Sequence, residues 1–163
     1  CWTMGGFGGH AGVFGSVLDL LRWGELLLEG RILSATTRNA MWKRIDFLEG
    51  CSRTLGWDTP SGEMATLSPW YSAYSVGHLG YTGTSFWIDP EKGMAVGLLT
   101  NRVHPSRADL QSIRRLRRAF HDTIFSSWAS SGKRHFFLRP SASQKFQWSF
   151  SQGRRLLNRP MKK

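Results

Sequence analysis

The stretch GHLGYTGTSFWIDPEKGMAVGLLTNR, residues 77–102, decides the architecture. TGTSFWIDP reads as a strand with Thr82, Thr84, Phe86 and Ile88 on one side, DPEKG as a turn, and MAVGLLTNR as a further strand. Just upstream, YSAYSVGHLG (71–80) supplies a strand that ends at glycines. The links between these runs are short turns, so they predict an antiparallel meander that includes strands 72–78 and 94–100. MAVGLLTNR is the most apolar of the three, which places it at the centre of the sheet.

Helical patterns flank the meander on both sides in sequence. Ser16 can cap a first helix, with Asp19 in the acidic place of a capping box. Val17, Leu20, Leu21, Leu27 and Leu28 form its apolar face, and Gly30 ends it. LSATTRNAMWKRI repeats the pattern from Ser34, with Met41 and Trp42 available for packing. RTLGWDTPSGEM reads as a strand fragment running into a Pro-Ser-Gly turn. SRADLQSIRRLRRAFHDTIFSSW is the longest periodic segment and predicts a helix over about 107–127, opened by Ser106 or Asp109. Leu110, Ile113, Leu116, Phe120 and Ile124 make its buried stripe, leaving Arg114, Arg115, Arg117 and Arg118 mostly on the other side. The fold class is α+β, an antiparallel sheet flanked by helices, with the last helix on one face beside the first.

Charge divides the chain. Its 163 residues carry a net charge of +11. Residues 1–106 hold eight Lys/Arg against nine Asp/Glu, whereas residues 107–163 hold fourteen against two. A nucleic-acid-binding fold is therefore not implied by the first two thirds. The last helix and the tail could meet nucleic acid or an anionic surface through phosphate contacts, with Phe136, Phe137, Phe146, Trp148 and Phe150 for stacking. A charge run opposite an apolar stripe is more often a solvated face.

Other chemistries lack their residues. Cys1 and Cys51 give no disulfide framework, and the five histidines form no metal-ligand spacing, so neither a metal nor a cofactor is expected. GGFGGHAG (5–12) is glycine-rich but has no Gly-Lys-Ser/Thr. No apolar run is long enough to cross a bilayer and no leader pattern is present. In GHLG, Gly77 and Gly80 suit close approach of another backbone to a sheet edge, and His78 would set a titratable group beside that edge or serve as a structural histidine.

GGFGGHAGVFGSVLDLLRW, GHLGYTGTSFWIDPEKGMAVGLLTNRVHPSR and IRRLRRAFHD together resemble the C-terminal half of the serine beta-lactamase and penicillin-binding-protein-like family, in its class C-like, esterase- and transpeptidase-related branch. The resemblance implies a partial beta-lactamase/transpeptidase-like fold over residues 1–127; residues 128–163, which it does not cover, read from their composition and lack of period as a basic, disordered tail. It also implies the family's His-x-Gly motif at His78-Leu79-Gly80, with Leu79 departing from the usual hydroxyl residue. The backbone N–H of Tyr81 would be one oxyanion donor, and the nucleophile's own N–H the other.

The family's other two motifs are not credibly represented. Ser130 and Lys133 make a literal Ser-x-x-Lys, but one expected in the tail and not at a helix start, and no Tyr-x-Asn occurs. The chain starts at Cys1 as if inside a domain. The expectation is a fragment of a serine hydrolase, inactive by itself, whose intact parent acts on a small-molecule ester, amide or beta-lactam carbonyl. Such parents are often exported or envelope-associated. The competing expectation is a noncatalytic, basic-tailed binding protein built on the half-fold.

Overall fold

The computed structural model describes residues 3, 5, 6, 8, 12–47, 49–60 and 67–131. Residues 17–131 belong to one compact unit, and the described residues before Val17 belong to a second. His10 and the tail beyond Ser131, with its aromatic residues, lie outside the described residues, as do Ser61 and Gly62 of the expected Pro-Ser-Gly turn.

Within the larger unit, helix α1 spans Val17–Leu28 and α2 spans Ala35–Trp42. Strands β1 (Val76–Leu79), β2 (Ser85–Asp89) and β3 (Met94–Leu98) precede α3 (Gln111–Ser131). α1 closes as a Schellman motif: the Gly30 N–H donates to Leu27 O at 3.2 Å and the Arg31 N–H to Leu26 O at 2.9 Å. The Arg38 guanidinium, from α2, donates to the Leu28 carbonyl at 2.7 Å. Ser34 caps α2 by accepting the Thr37 N–H at 3.1 Å.

The sheet is an antiparallel meander in the order β1-β2-β3, so β2 is central, not the more apolar β3. All five β2 residues are buried. Phe86 and Ile88 face one way, into a core with Val76 and Leu27 to which Leu20 and Trp23 of α1 add. Trp87 faces the other way, into a core with Leu67, Tyr71, Val96 and Phe125 that Phe120, Ile124 and Trp128 extend. A strand apolar on both faces needs cover on both. α1 and α3 therefore lie on opposite faces of the sheet, which corrects the expectation that they sit side by side.

Two boundaries also differ. β1 starts at Val76 rather than 72, because Ser72 gives its N–H and its hydroxyl to the Asp89 carboxylate, each at 2.9 Å, and the chain turns there. α3 starts after Asp109, whose carboxylate accepts the Ser112 N–H at 2.9 Å, and runs to Ser131.

The buried stripe of α3 is the expected one in part: Ile113 is buried, and Phe120 and Ile124 pack against the core. Leu110 and Leu116 are each 50% exposed, while Arg117 and His121 are 6% and 0% exposed. The stripe runs Ile113, Arg117, His121, Phe125. Among the described residues no helix is long and apolar enough to cross a membrane.

Candidate functional site

The β1–β2 connection, residues 80–84, is held first by its own backbone. The Gly80 N–H donates to Thr84 O at 2.7 Å and the Gly83 N–H to Gly80 O at 3.0 Å. Gly83 has φ +100°, the left-handed conformation that a hairpin loop of this length requires after its turn. A Cβ on Gly80 would collide with the Thr84 hydroxyl. The tightness of the turn thus favours glycine at 80, in addition to the close approach to the sheet edge that the sequence suggested.

Two arginines complete the turn. Arg117 donates from Nε to Gly83 O at 3.0 Å and from Nη2 to Gly80 O at 2.9 Å and Thr84 O at 2.8 Å. Burial, and then the neighbouring Arg102 charge, lower its pKa from the ordinary arginine value. Arg102 donates from Nε to Tyr81 O and from its backbone N–H to Thr82 O, both at 2.8 Å, and its guanidinium lies 4.8 Å over the Tyr81 ring. Every carbonyl from Gly80 to Thr84 accepts at least one of these bonds. Charge-assisted bonds of this kind are stronger than neutral ones. This turn is rigid by construction.

The outer edge of β1 is covered at Gly77 and open further on. Asp58 pairs with Gly77 in both directions, its N–H donating to Gly77 O at 2.7 Å and its carbonyl accepting the Gly77 N–H at 3.0 Å. Past that bridge the edge borders a cleft of about 580 Å³, lined among others by Asp58, Thr59, Leu79, Gly80, Tyr81 and Arg114.

The three residues singled out from the sequence do not share one surface. Gly80 and Tyr81 line the cleft. His78 alternates with Leu79 along the strand, so its side chain lies on the α1 face, outside the cleft lining. His78 is exposed, and its Nδ1 is 2.9 Å from the Leu79 carbonyl. A carbonyl only accepts, so Nδ1 carries the proton and a neutral imidazole keeps its lone pair on Nε2. Ser130 lies in the last turn of α3, and its hydroxyl donates to Ser126 O at 2.8 Å, a back-bonded geometry at a helix end. Lys133 lies outside the described residues.

Behind the cleft, the Tyr71 hydroxyl and His121 Nδ1 are 2.9 Å apart in the core. Burial, and then the Asp89 charge, raise the Tyr71 pKa well above its ordinary value, so the phenol keeps its proton, and the tautomer of His121 sets which of the two groups donates. Burial, with the Arg117 charge second, brings His121 down to about 4.

Comparison with known proteins bears on the family and the fold. A family model described as beta-lactamase matches residues 2–120. A protein of Escherichia coli O157:H7, provisionally named a D-alanyl-D-alanine carboxypeptidase, is 32% identical over 120 residues, covering 68% of this chain and 27% of that protein. Its counterpart in Escherichia coli K12 is 31% identical over the same length, with the same two shares. The chain thus spans about a quarter of the length of these relatives. The crystal structure of a beta-lactamase from Mycobacterium bovis superposes with a TM-score of 0.57 at 23% identity, over 70% of this chain and 44% of that one, a likeness of fold. The family match lies in the N-terminal part of this chain and carries family membership alone. The expectation of a C-terminal half is withdrawn.

Proposed function

This chain belongs to the beta-lactamase family, and on that premise we propose that the open edge of β1 with its turn is one wall of a serine acyl-transfer site. The observation that carries this reading is the cleft along Leu79, Gly80 and Tyr81, beside a turn whose carbonyls are all engaged. In the reaction an activated serine hydroxyl attacks an ester, amide or beta-lactam carbonyl. The carbonyl oxygen becomes an oxyanion, the leaving group departs, and water releases the acyl group from the serine. The Tyr81 N–H stabilises the oxyanion together with the N–H of the nucleophile. His78 acts through the strand it sits on, presenting Nε2 from the face opposite the cleft. The names of the relatives favour a peptide amide with a terminal carboxylate. The exposed Arg114 on the cleft wall offers that carboxylate a cation.

Taken alone, these 163 residues perform no turnover. Covalent catalysis needs an activated nucleophile, and Ser130 stands at the wrong end of a helix to be aimed by Lys133. Intact mass after incubation with a fluorescent penicillin or an activated ester tests this: no adduct is expected on the chain by itself. Stoichiometric acylation abolished by Ser130→Ala would overturn it. In the whole protein Gly80→Val is expected to lower kcat/KM by a hundredfold or more, because the side chain displaces the turn that carries the Tyr81 N–H. A folded Gly80→Val variant with unchanged kcat/KM would remove this strand from the site.

A further inference from the structure

We infer that Arg117 is the positioning residue of this site: its guanidinium fixes the Gly80–Tyr81 peptide plane so that the Tyr81 N–H faces the open outer edge of β1. The inference rests on reading that edge as an acyl-transfer wall. Three carbonyl oxygens, from Gly80, Gly83 and Thr84, converge on one guanidinium within 3.0 Å. Without a cation, three carbonyl dipoles pointing at one spot repel each other. The planes that can relieve this are those that follow a glycine, Gly80–Tyr81 and Gly83–Thr84, since neither is hindered by a preceding Cβ, and of the two only Gly80–Tyr81 carries an N–H that borders the cleft.

Strand alternation and the planar peptide then settle the direction of the N–H. Gly80 gives its own N–H inward to Thr84 O, and its carbonyl accepts from Gly83 within the turn. The Gly80–Tyr81 peptide is trans, so the Tyr81 N–H points opposite to that carbonyl. It therefore faces the same edge as the Gly77 N–H, which donates to Asp58, but at a position that borders the cleft. Lysine could not substitute for this arginine. A single ammonium cannot reproduce bonds from Nε and Nη2 that grip both ends of the turn.

The test uses ¹⁵N-labelled chain and reads the exchange of the Tyr81 amide with water against the amides of β2. In the unsubstituted chain the Tyr81 N–H should exchange readily, as an N–H on an open edge does, and a Tyr81 amide as protected as those of β2 overturns the inference without any variant. In Arg117→Lys and Arg117→Ala the nuclear Overhauser contacts between the Tyr81 N–H and the Gly80 Hα protons should change while those along β2 and β3 hold. Guanidinium at tens of millimolar should restore them in Arg117→Ala and not in Arg117→Lys. Unchanged Tyr81 contacts in a folded variant overturn the inference. In the whole protein, Arg117→Lys should lower kcat for an ester about tenfold to a hundredfold, short of the full loss of a donor, with KM within twofold. A reoriented amide with an unchanged kcat would overturn the acyl-transfer reading of this edge, and leave the hold of Arg117 on the amide standing.

Discussion

Asp89 has no exposed surface, yet its carboxylate accepts five bonds: the Ser72 N–H and hydroxyl, the Glu91 and Lys92 N–H groups, and the Lys92 ammonium at 3.2 Å. Burial pushes its pKa up, but the bonds from Ser72 and Lys92 outweigh burial and hold it below the usual carboxylate value. The residue joins three things at once: the end of β2, the turn into β3 and the bend that precedes β1. Asp89→Asn keeps the size but puts an amide NH₂ among donors and removes the charge opposite Lys92. We expect a loss of about 3 kcal/mol, the scale of breaking a buried pair, read as a lower urea midpoint at unchanged m-value. A loss under about 0.5 kcal/mol, the range of an ordinary surface change, would show that Asp89 is replaceable and that other bonds hold this corner.

At the scale of elements, the contact of α1 with the sheet depends on small residues. A Cβ placed on Gly24 would come 2.7 Å from Ala95 Cβ and 2.8 Å from Phe86 Cζ. Gly24→Ala therefore sets two effects against each other. Helix propensity gains about 1 kcal/mol, and overpacking costs about 1–3 kcal/mol. Both neighbours belong to the sheet rather than to a flexible tip, so overpacking wins and Gly24→Ala should lower Tm, with Gly24→Val lower still. A Tm at or above the parent value for Gly24→Ala would mean that α1 rides further from the sheet than described.

The elements themselves were legible in the sequence because their local chemistry is unambiguous. Ser34 caps α2, glycines frame the turns and DPEKG links two strands. Their burial was less legible. The stretch SFWID has no alternation to show which strand is central, and the apolarity of MAVGL misled because a central strand is defined by its neighbours. In α3 the i, i+4 chain Ile113–Arg117–His121–Phe125 was present in the sequence, but its two polar members read as solvent-facing. Nothing local reveals that an arginine will be buried when its partners are carbonyls 33 to 37 residues away. The candidate site was legible only in part for that reason. Gly80 and Tyr81 follow from a motif, while Arg102 and Arg117 follow only from the fold.

Taken as a whole molecule, the unit has a titration written into its core. The net charge of +11 arises in residues 107–163, and α3 turns Arg114, Arg115 and Arg118 outward while burying His121. Burial first, and the charge of Arg117 one turn earlier second, hold the His121 imidazole neutral down to about pH 4, against a smaller opposing pull from Asp122. The imidazolium needs an acceptor for each of its two N–H groups, and Nε2 has no hydrogen-bond partner among the described residues, so the folded state disfavours the charged ring. The unfolded state takes that proton near the ordinary histidine value, about 6.5. Between about pH 6.5 and 4 the unfolded chain therefore binds more protons than the native one, and stability falls as the pH falls. A shift of this size corresponds to roughly 3 kcal/mol across that window. Asp89 pulls in the same direction, but only below the ordinary carboxylate range of about 4. The two contributions separate by pH. Urea unfolding of the chain at pH 7 and pH 4.5 should show the drop. His121→Gln, which can still hydrogen-bond to Tyr71, should flatten it while leaving the loss below pH 4 in place. An equal drop in His121→Gln would assign the titration to another group and leave His121 a neutral packing residue with no share in the acid sensitivity of the fold.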